Sequence, residues 1–105
     1  MAGSEVAPLY RVRLNMGAMR QLAKLEQADR ERVRRALVQQ ASSSSNSDGL
    51  RGGKSLKMIQ GKRDRFFRLR VGELRVLFDL VPNERTLLVL AILNRRDLDR
   101  WLRRR

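Results

Sequence analysis

The sequence has no cysteine and no histidine among its 105 residues. Zinc-finger ligation, thiol nucleophiles and imidazole acid–base chemistry are therefore excluded together. The absence of cysteine fits a reducing cytoplasm, where this chain is expected to act. No apolar run approaches the length of a membrane span, and the first residues lack the apolar core of a signal peptide. No membrane partner is expected. Acidic residues are also scarce, 11 against 24 Lys and Arg. At 105 residues the chain is one domain of ordinary size, large enough to bury a core without a metal or disulfide staple.

What is present is positive charge, a net +13, placed unevenly. Residues 1–50 carry 8 basic and 5 acidic side chains, a net of +3; residues 51–105 carry 16 and 6, a net of +10. Arginine dominates, and its planar fork favours bidentate phosphate contacts. Such a surface suits nucleic acid, ribosomal RNA or an acidic protein segment.

The most informative stretch is Phe66-Phe67-Arg68-Leu69-Arg70-Val71-Gly72-Glu73-Leu74-Arg75-Val76-Leu77-Phe78-Asp79. Two runs rich in Phe, Leu and Val flank Gly72-Glu73, and Gly in the first central position suits a type II′ hairpin turn. That loop fixes the register. Val71 faces Leu74, Arg70 faces Arg75, Leu69 faces Val76, Arg68 faces Leu77 and Phe67 faces Phe78. Alternation then gives a core face of Phe67, Leu69, Val71, Leu74, Val76 and Phe78. The other face, expected to be exposed, carries Phe66, Arg68, Arg70, Arg75, Leu77 and Asp79. Arg70 opposite Arg75 is a like-charge cross-strand pair, which destabilises by itself. A bound phosphate would resolve the conflict.

Around the hairpin, residues 1–8 read as a flexible lead-in and 9–105 as the domain. Leu9 to Leu14 alternates as a strand. Asn15 is placed to cap a helix whose stripe is Met16, Met19, Leu22, Ala23 and Leu25, with both methionines expected in the core. Gln27-Ala28 is expected to turn the chain, and Asp29 to cap a second helix with Val33, Ala36, Leu37 and Ala41 inward. Residues 42–53, beginning Ser42-Ser43-Ser44-Ser45, read as a flexible surface loop. Ser55 to Gln60 forms a short strand and Gly61 to Asp64 a turn into the hairpin. Pro82-Asn83-Glu84 turns the chain again. Thr86 to Leu93 is almost wholly apolar, the pattern of a strand covered on both faces. Asn94 or Asp97 caps a last short helix with Leu98, Trp101 and Leu102 on its apolar side and Arg103 to Arg105 at its C-terminal dipole.

The order β-α-α-β-β-β-β-α predicts an α+β domain. An N-terminal strand and a two-helix hairpin pack on a twisted antiparallel sheet of about four to five strands, followed by a short C-terminal helix.

This layout resembles the RelE/ParE superfamily of bacterial toxins over roughly residues 9–102. The resemblance is carried by Tyr10-Arg11-Val12, by Leu22-Ala23-Lys24-Leu25 and, most specifically, by Arg68 to Phe78 of the hairpin. It implies the toxin of a type II toxin–antitoxin pair, with a cognate antitoxin as partner. In the RelE branch the partner is mRNA on the ribosome, cut without a metal or other cofactor. In the ParE branch it is DNA gyrase, which is inhibited without catalysis. A basic nucleic-acid-binding domain without toxicity is the plainer alternative.

For the RelE branch the resemblance puts the catalytic arginines at Arg68, Arg70, Arg75 and Arg95. The RNA-binding residues are then Lys54, Lys57, Lys62, Arg96 and Trp101. A tyrosine position near the family's C-terminus falls on Trp101, whose indole has no ionisable hydroxyl. Trp101 can stack on a base, but packing against the sheet is its plainer role. Asp79 is expected to pair with Arg68 or Arg75.

Overall fold

The computed structural model describes residues 10–43, 56–60 and 65–104. The elements are β1 (Arg11–Leu14), α1 (Met16–Ala23), α2 (Gln27–Ser43), β2 (Leu56–Gln60), β3 (Arg65–Val71), β4 (Leu74–Val81), β5 (Thr86–Asn94) and α3 (Leu98–Arg104). Short 3-10 turns at Pro82–Glu84 and Arg95–Asp97 flank β5. No helix among the described residues is long and apolar enough to cross a membrane.

The five strands form one sheet in the order β1-β5-β4-β3-β2. The hairpin register is as the alternation requires, from Phe67 opposite Phe78 to Val71 opposite Leu74. Gly72 has φ +61°, a value the turn demands and an L side chain resists. β2 continues the antiparallel arrangement, with Lys57 opposite Arg68. The expected all-antiparallel sheet is corrected at its other edge. β1 runs parallel to β5, with Arg11 opposite Thr86 and Leu14 opposite Val89, so the sheet is mixed. β1 and β5 are separated by both helices and three strands. No hairpin turn constrains their relative direction, and such a crossover permits parallel pairing.

β5 is apolar from Leu87 to Leu93 because both its faces are covered. Leu87, Val89 and Ile92 belong to the large core, while Leu90, Ala91 and Leu93 belong to a second cluster. A register shift between Leu77 and Phe78 of β4 lets Leu77 pair with Ala91 and Phe78 with Val89. Leu90 is the additional residue of this bulge, and it returns Ile92 to the helix side.

On that side α2 buries Val33, Leu37 and Ala41 against Phe67, Leu69, Val76 and Phe78. The Phe67 and Phe78 rings stack at 5.4 Å between centroids. Asn15 caps α1 as expected, accepting the Ala18 N–H at 2.8 Å. The inward side of α1, however, is Ala18 (fully buried) with Gln21 and Leu22, and Leu25 joins them from the link that follows. Ala18 is small enough for close approach, and the Gln21 side-chain oxygen accepts the Ile92 N–H at 2.7 Å. That polar tether rotates the helix away from its most apolar stripe. Met16 and Met19, expected in the core, are 68% and 57% exposed.

Two helix boundaries also move. α2 begins at Gln27, so the link is Lys24 to Glu26, and Asp29 sits in the first turn rather than at the cap. There it lies 3.8 Å from Arg32 Nη1, an exposed pair. α2 runs to Ser43, so Ser42 and Ser43 are helical, and the rest of the expected loop lies outside the described residues. So do the lead-in 1–8 and the turn at Gly61 to Asp64.

Candidate functional site

On the opposite side of the sheet the hairpin carries Arg68 and Arg70 on β3 and Arg75 on β4, with Arg70 directly opposite Arg75. This face was expected to be open, and it is only partly so. α3 folds across one end and closes a second apolar cluster of Phe66, Leu77, Ala91 and Leu98, with Trp101 and Leu102 packed against it. Trp101 meets Phe66 edge to face at 5.6 Å and 82°. That geometry favours the aromatic pair beyond simple area burial. Arg75, far from being open, is only 8% exposed.

The walls of the site are set by the elements below it. Asn94 ends β5 opposite Leu74, and the 3-10 turn that follows brings Arg95 beside the hairpin. Asn94 makes no capping hydrogen bond through its side chain; Asp97 is the residue before α3. As a result Arg68, Arg70, Arg75 and Arg95 line one cleft of about 380 Å³, together with Leu98 and Asp99. A second cleft of about 540 Å³ adjoins it, lined by Glu73, Asn94, Arg95, Arg96 and Asp99. Arg95 and Asp99 are shared between the two.

Arg75 is held in place by the turn. Its Nη1 donates to the Leu74 carbonyl at 3.0 Å and to the Gly72 carbonyl at 3.3 Å. Burial pushes its pKa below the usual arginine value, and the guanidiniums of Arg68, Arg70 and Arg95 push it further, with Glu73 acting in the opposite sense. The carbonyls satisfy part of the guanidinium but do not cancel its charge. The buried Nε of Arg68 has no hydrogen-bond partner among the described residues. A buried donor left unpaired costs about 1–3 kcal/mol. Four like charges and an unsatisfied donor around one concavity have the chemistry that complements a multivalent oxyanion.

All four arginines singled out in the sequence are thus brought together. Lys57 is exposed on β2 beside Arg68, next to the cleft on the same face. Arg96 lines the adjoining cleft. Trp101 lines neither and lies in the second apolar cluster. Lys54 and Lys62 lie outside the described residues. The Asp79 carboxylate accepts the Leu80 N–H at 2.8 Å, while the Arg75 guanidinium turns toward Gly72, away from Asp79. The expected Asp79–Arg75 pair is therefore absent. Sequence reasoning missed Asp99 and Asn94. The only signal for Asp99 was its place between Leu98 and Trp101, whose inward side chains turn it to the flank of α3.

No protein-family model matches the sequence, and no curated protein matches it by sequence. Solved structures are. A chain of the archaeal RelE–RelB complex from Pyrococcus horikoshii superposes with a TM-score of 0.65 at 19% identity, over 83% of this chain and 96% of that one. The toxin–antitoxin complex RelBE2 from Mycobacterium tuberculosis gives 0.55 at 25% identity, over 85% and 100%. A mutant of the E. coli toxin RelE in the free state gives 0.59 at 18% identity, over 88% and 90%. An N-terminal strand, a helical hairpin, a mixed five-stranded sheet and a short C-terminal helix, shared over nearly the whole length of each neighbour, make this chain's fold that of the RelE toxins.

Proposed function

We propose that this protein is the toxin of a type II toxin–antitoxin pair and that it cuts mRNA on the ribosome. The observation that carries the reading is the convergence of Arg68, Arg70, Arg75 and Arg95 on one cleft. The RelE fold supports it, as do the neighbours solved in complex with RelB antitoxins. A cognate antitoxin with an acidic or amphipathic segment is the natural partner for this basic face, and the cytoplasm, where ribosomes work, is the natural compartment.

The chemistry follows from what arginine can do. Guanidinium is too weak an acid and base to move protons near neutrality. Four of them around a phosphate neutralise the charge that grows as a ribose 2′-OH attacks phosphorus, often the largest single contribution to catalysis. Attack forms a 2′,3′-cyclic phosphate and releases the 5′-oxygen, with no external nucleophile and no cofactor. Lys57 beside the cleft, with Lys54 and Lys62, steers the RNA; Arg96 extends the contact along the strand.

One observation favours a second reading. Trp101 offers no hydroxyl and packs on Phe66, so the site lacks the phenol of RelE-like nucleases. A ParE-like inhibitor of DNA gyrase needs no such group. Inducing the protein in a bacterial host separates the two. The proposed function requires protein synthesis to stop first, with new mRNA ends mapping to codons in the ribosomal A site. It also requires that R75Q/R95Q restore growth. Broken DNA with translation intact would instead establish the gyrase reading.

A further inference from the structure

Among the described residues Asp99 is the one carboxylate lining the four-arginine cleft, and it also lines the neighbouring cleft. It stands on the first turn of α3, and that helix is pinned to the sheet through Leu98 and Trp101. Among the described residues, the charged groups facing this junction are Arg68 and Arg70 from β3, Arg75 from β4, Glu73 from the hairpin turn, and Arg95 and Arg96 from the turn after β5. Despite those five guanidiniums, no ion pair joins Asp99 to a basic residue among the described residues. Its oxygens are not consumed by the arginines and remain open to a donor entering the cleft. A carboxylate in the first turn also favours a helix electrostatically, but that role needs no place on the wall of an arginine-lined cleft.

We propose that Asp99 is the general base for RNA cleavage at this site, a proposal that rests on the ribonuclease reading above. With the scissile phosphate among the arginines, the Asp99 carboxylate accepts the proton of the adjacent ribose 2′-OH. The 2′-oxygen forms its bond to phosphorus as the bond from phosphorus to the 5′-oxygen breaks. The departing 5′-oxygen takes a proton from water, and Asp99 returns its own to solvent. The sum is a 2′,3′-cyclic phosphate and a 5′-hydroxyl, with no oxidant, reductant or metal entering the balance. The arginines supply charge stabilisation and Asp99 supplies proton transfer, the function that neither the arginines nor Trp101 can perform.

The test uses the whole protein with ribosomes carrying a defined mRNA, under single-turnover conditions across a pH series. Wild type is compared with D99N, which keeps shape and loses basicity, and with D99E, which keeps a carboxylate. D99N should slow cleavage by ~10²-fold or more, the usual weight of a positioned base. It should also flatten the rising limb of the wild-type pH profile, and D99E should retain that limb. Binding of the same mRNA with 2′-O-methyl groups, which cannot be cut, should be unchanged or tighter in D99N, because a negative charge has gone. D99N cleaving at the wild-type rate with the wild-type pH profile would overturn the proposal. So would a D99N that loses binding and melting temperature along with rate, which would make Asp99 a structural residue. If wild type itself leaves the mRNA uncut, the ribonuclease reading falls, and that failure is visible without either variant.

Discussion

The two faces of the sheet are built to opposite rules. The helix side collects Phe67, Leu69, Val76, Phe78, Leu87, Val89 and Ile92 under α1 and α2, and all are buried. The other side has a small apolar cluster under α3 and spends the remaining area on four arginines around a cleft. Both faces are carried by the same strands, one residue apart in phase. A single hairpin therefore packs the core with its odd positions on β3 and its even positions on β4, and carries Arg68, Arg70 and Arg75 of the cleft on the intervening ones. Selection for stability alone would not oppose Arg70 to Arg75 or bury Arg75 among like charges. The contrast teaches that the outer face of the sheet tolerates like-charge pairing that its helix side does not, and an unpaired Arg68 Nε, which is what the proposed anion site requires.

The sharpest way to probe this contrast is to damage each face in turn. Phe78→Ala on the helix side should lose about 3–5 kcal/mol of stability, the usual range for removing a fully buried aromatic ring. Urea unfolding measures it. Trp101→Ala on the outer side should lose less, about 2 kcal/mol, because Trp101 is only half-buried and the cluster it completes is small. Trp101→Phe should recover most of that loss and most of the activity. Full stability with lost RNA binding in Trp101→Phe would show instead that the indole stacks on a base. A third comparison adds an anion. Pyrophosphate at 100 times its dissociation constant should stabilise wild type by about 2.7 kcal/mol through binding to the folded state alone, read as a rise in melting temperature. The R75Q/R95Q double variant should respond far less, and Phe78→Ala, damaged only on the helix side, should respond like wild type.

How much of this could be read from the residues differs between the same two faces. The hairpin register was fully legible, because a two-residue Gly72-Glu73 loop and strict alternation leave one solution. Burial of β5 on both sides was legible from its unbroken apolar run. The phase of α1 was not. Ala18 and Gln21 look unremarkable in sequence, yet a close approach and one hydrogen bond to Ile92 outweigh the apolar pull of Met16 and Met19. The direction of β1 was not legible either, since pairing between distant strands is decided by the path of everything between them. On the outer face, the arginines of the hairpin were visible as a stripe. The burial of Arg75 was not, because it depends on where the chain goes after Asn94. Asp99 entered the site only through the docking of α3, a long-range event with no local signature.

Proton linkage makes the buried Arg75 an electrostatic cost that pH does not relieve near neutrality. The pKa of Arg75 is lower in the folded protein than in the unfolded chain, by burial and by its arginine neighbours. Folding therefore disfavours its charged form. The penalty is present in full below the folded pKa and is relieved only as pH rises through that value, deep in the alkaline range. Between pH 6 and 8 this group should contribute no slope to stability, so salt and anions, not pH, are the levers on it.

The smallest expected effect is also the most discriminating, because its two readouts move in opposite directions. Arg70 is exposed and directly opposite Arg75. Replacing it in R70Q removes the like-charge pair while keeping a long polar side chain on the strand. Stability should rise by about 0.2–1 kcal/mol, the range for a single cross-strand pair, and added salt should narrow the gain by screening the same repulsion in wild type. Binding of uncleavable single-stranded RNA should weaken. The slope of log affinity against log salt should become shallower by about 0.7, the signature of one lost phosphate contact. A gain in stability joined to a loss of one phosphate contact means that Arg70 is kept for the ligand at the expense of the fold. A loss of stability in R70Q would instead make Arg70 a structural residue and dissolve the division between the two faces.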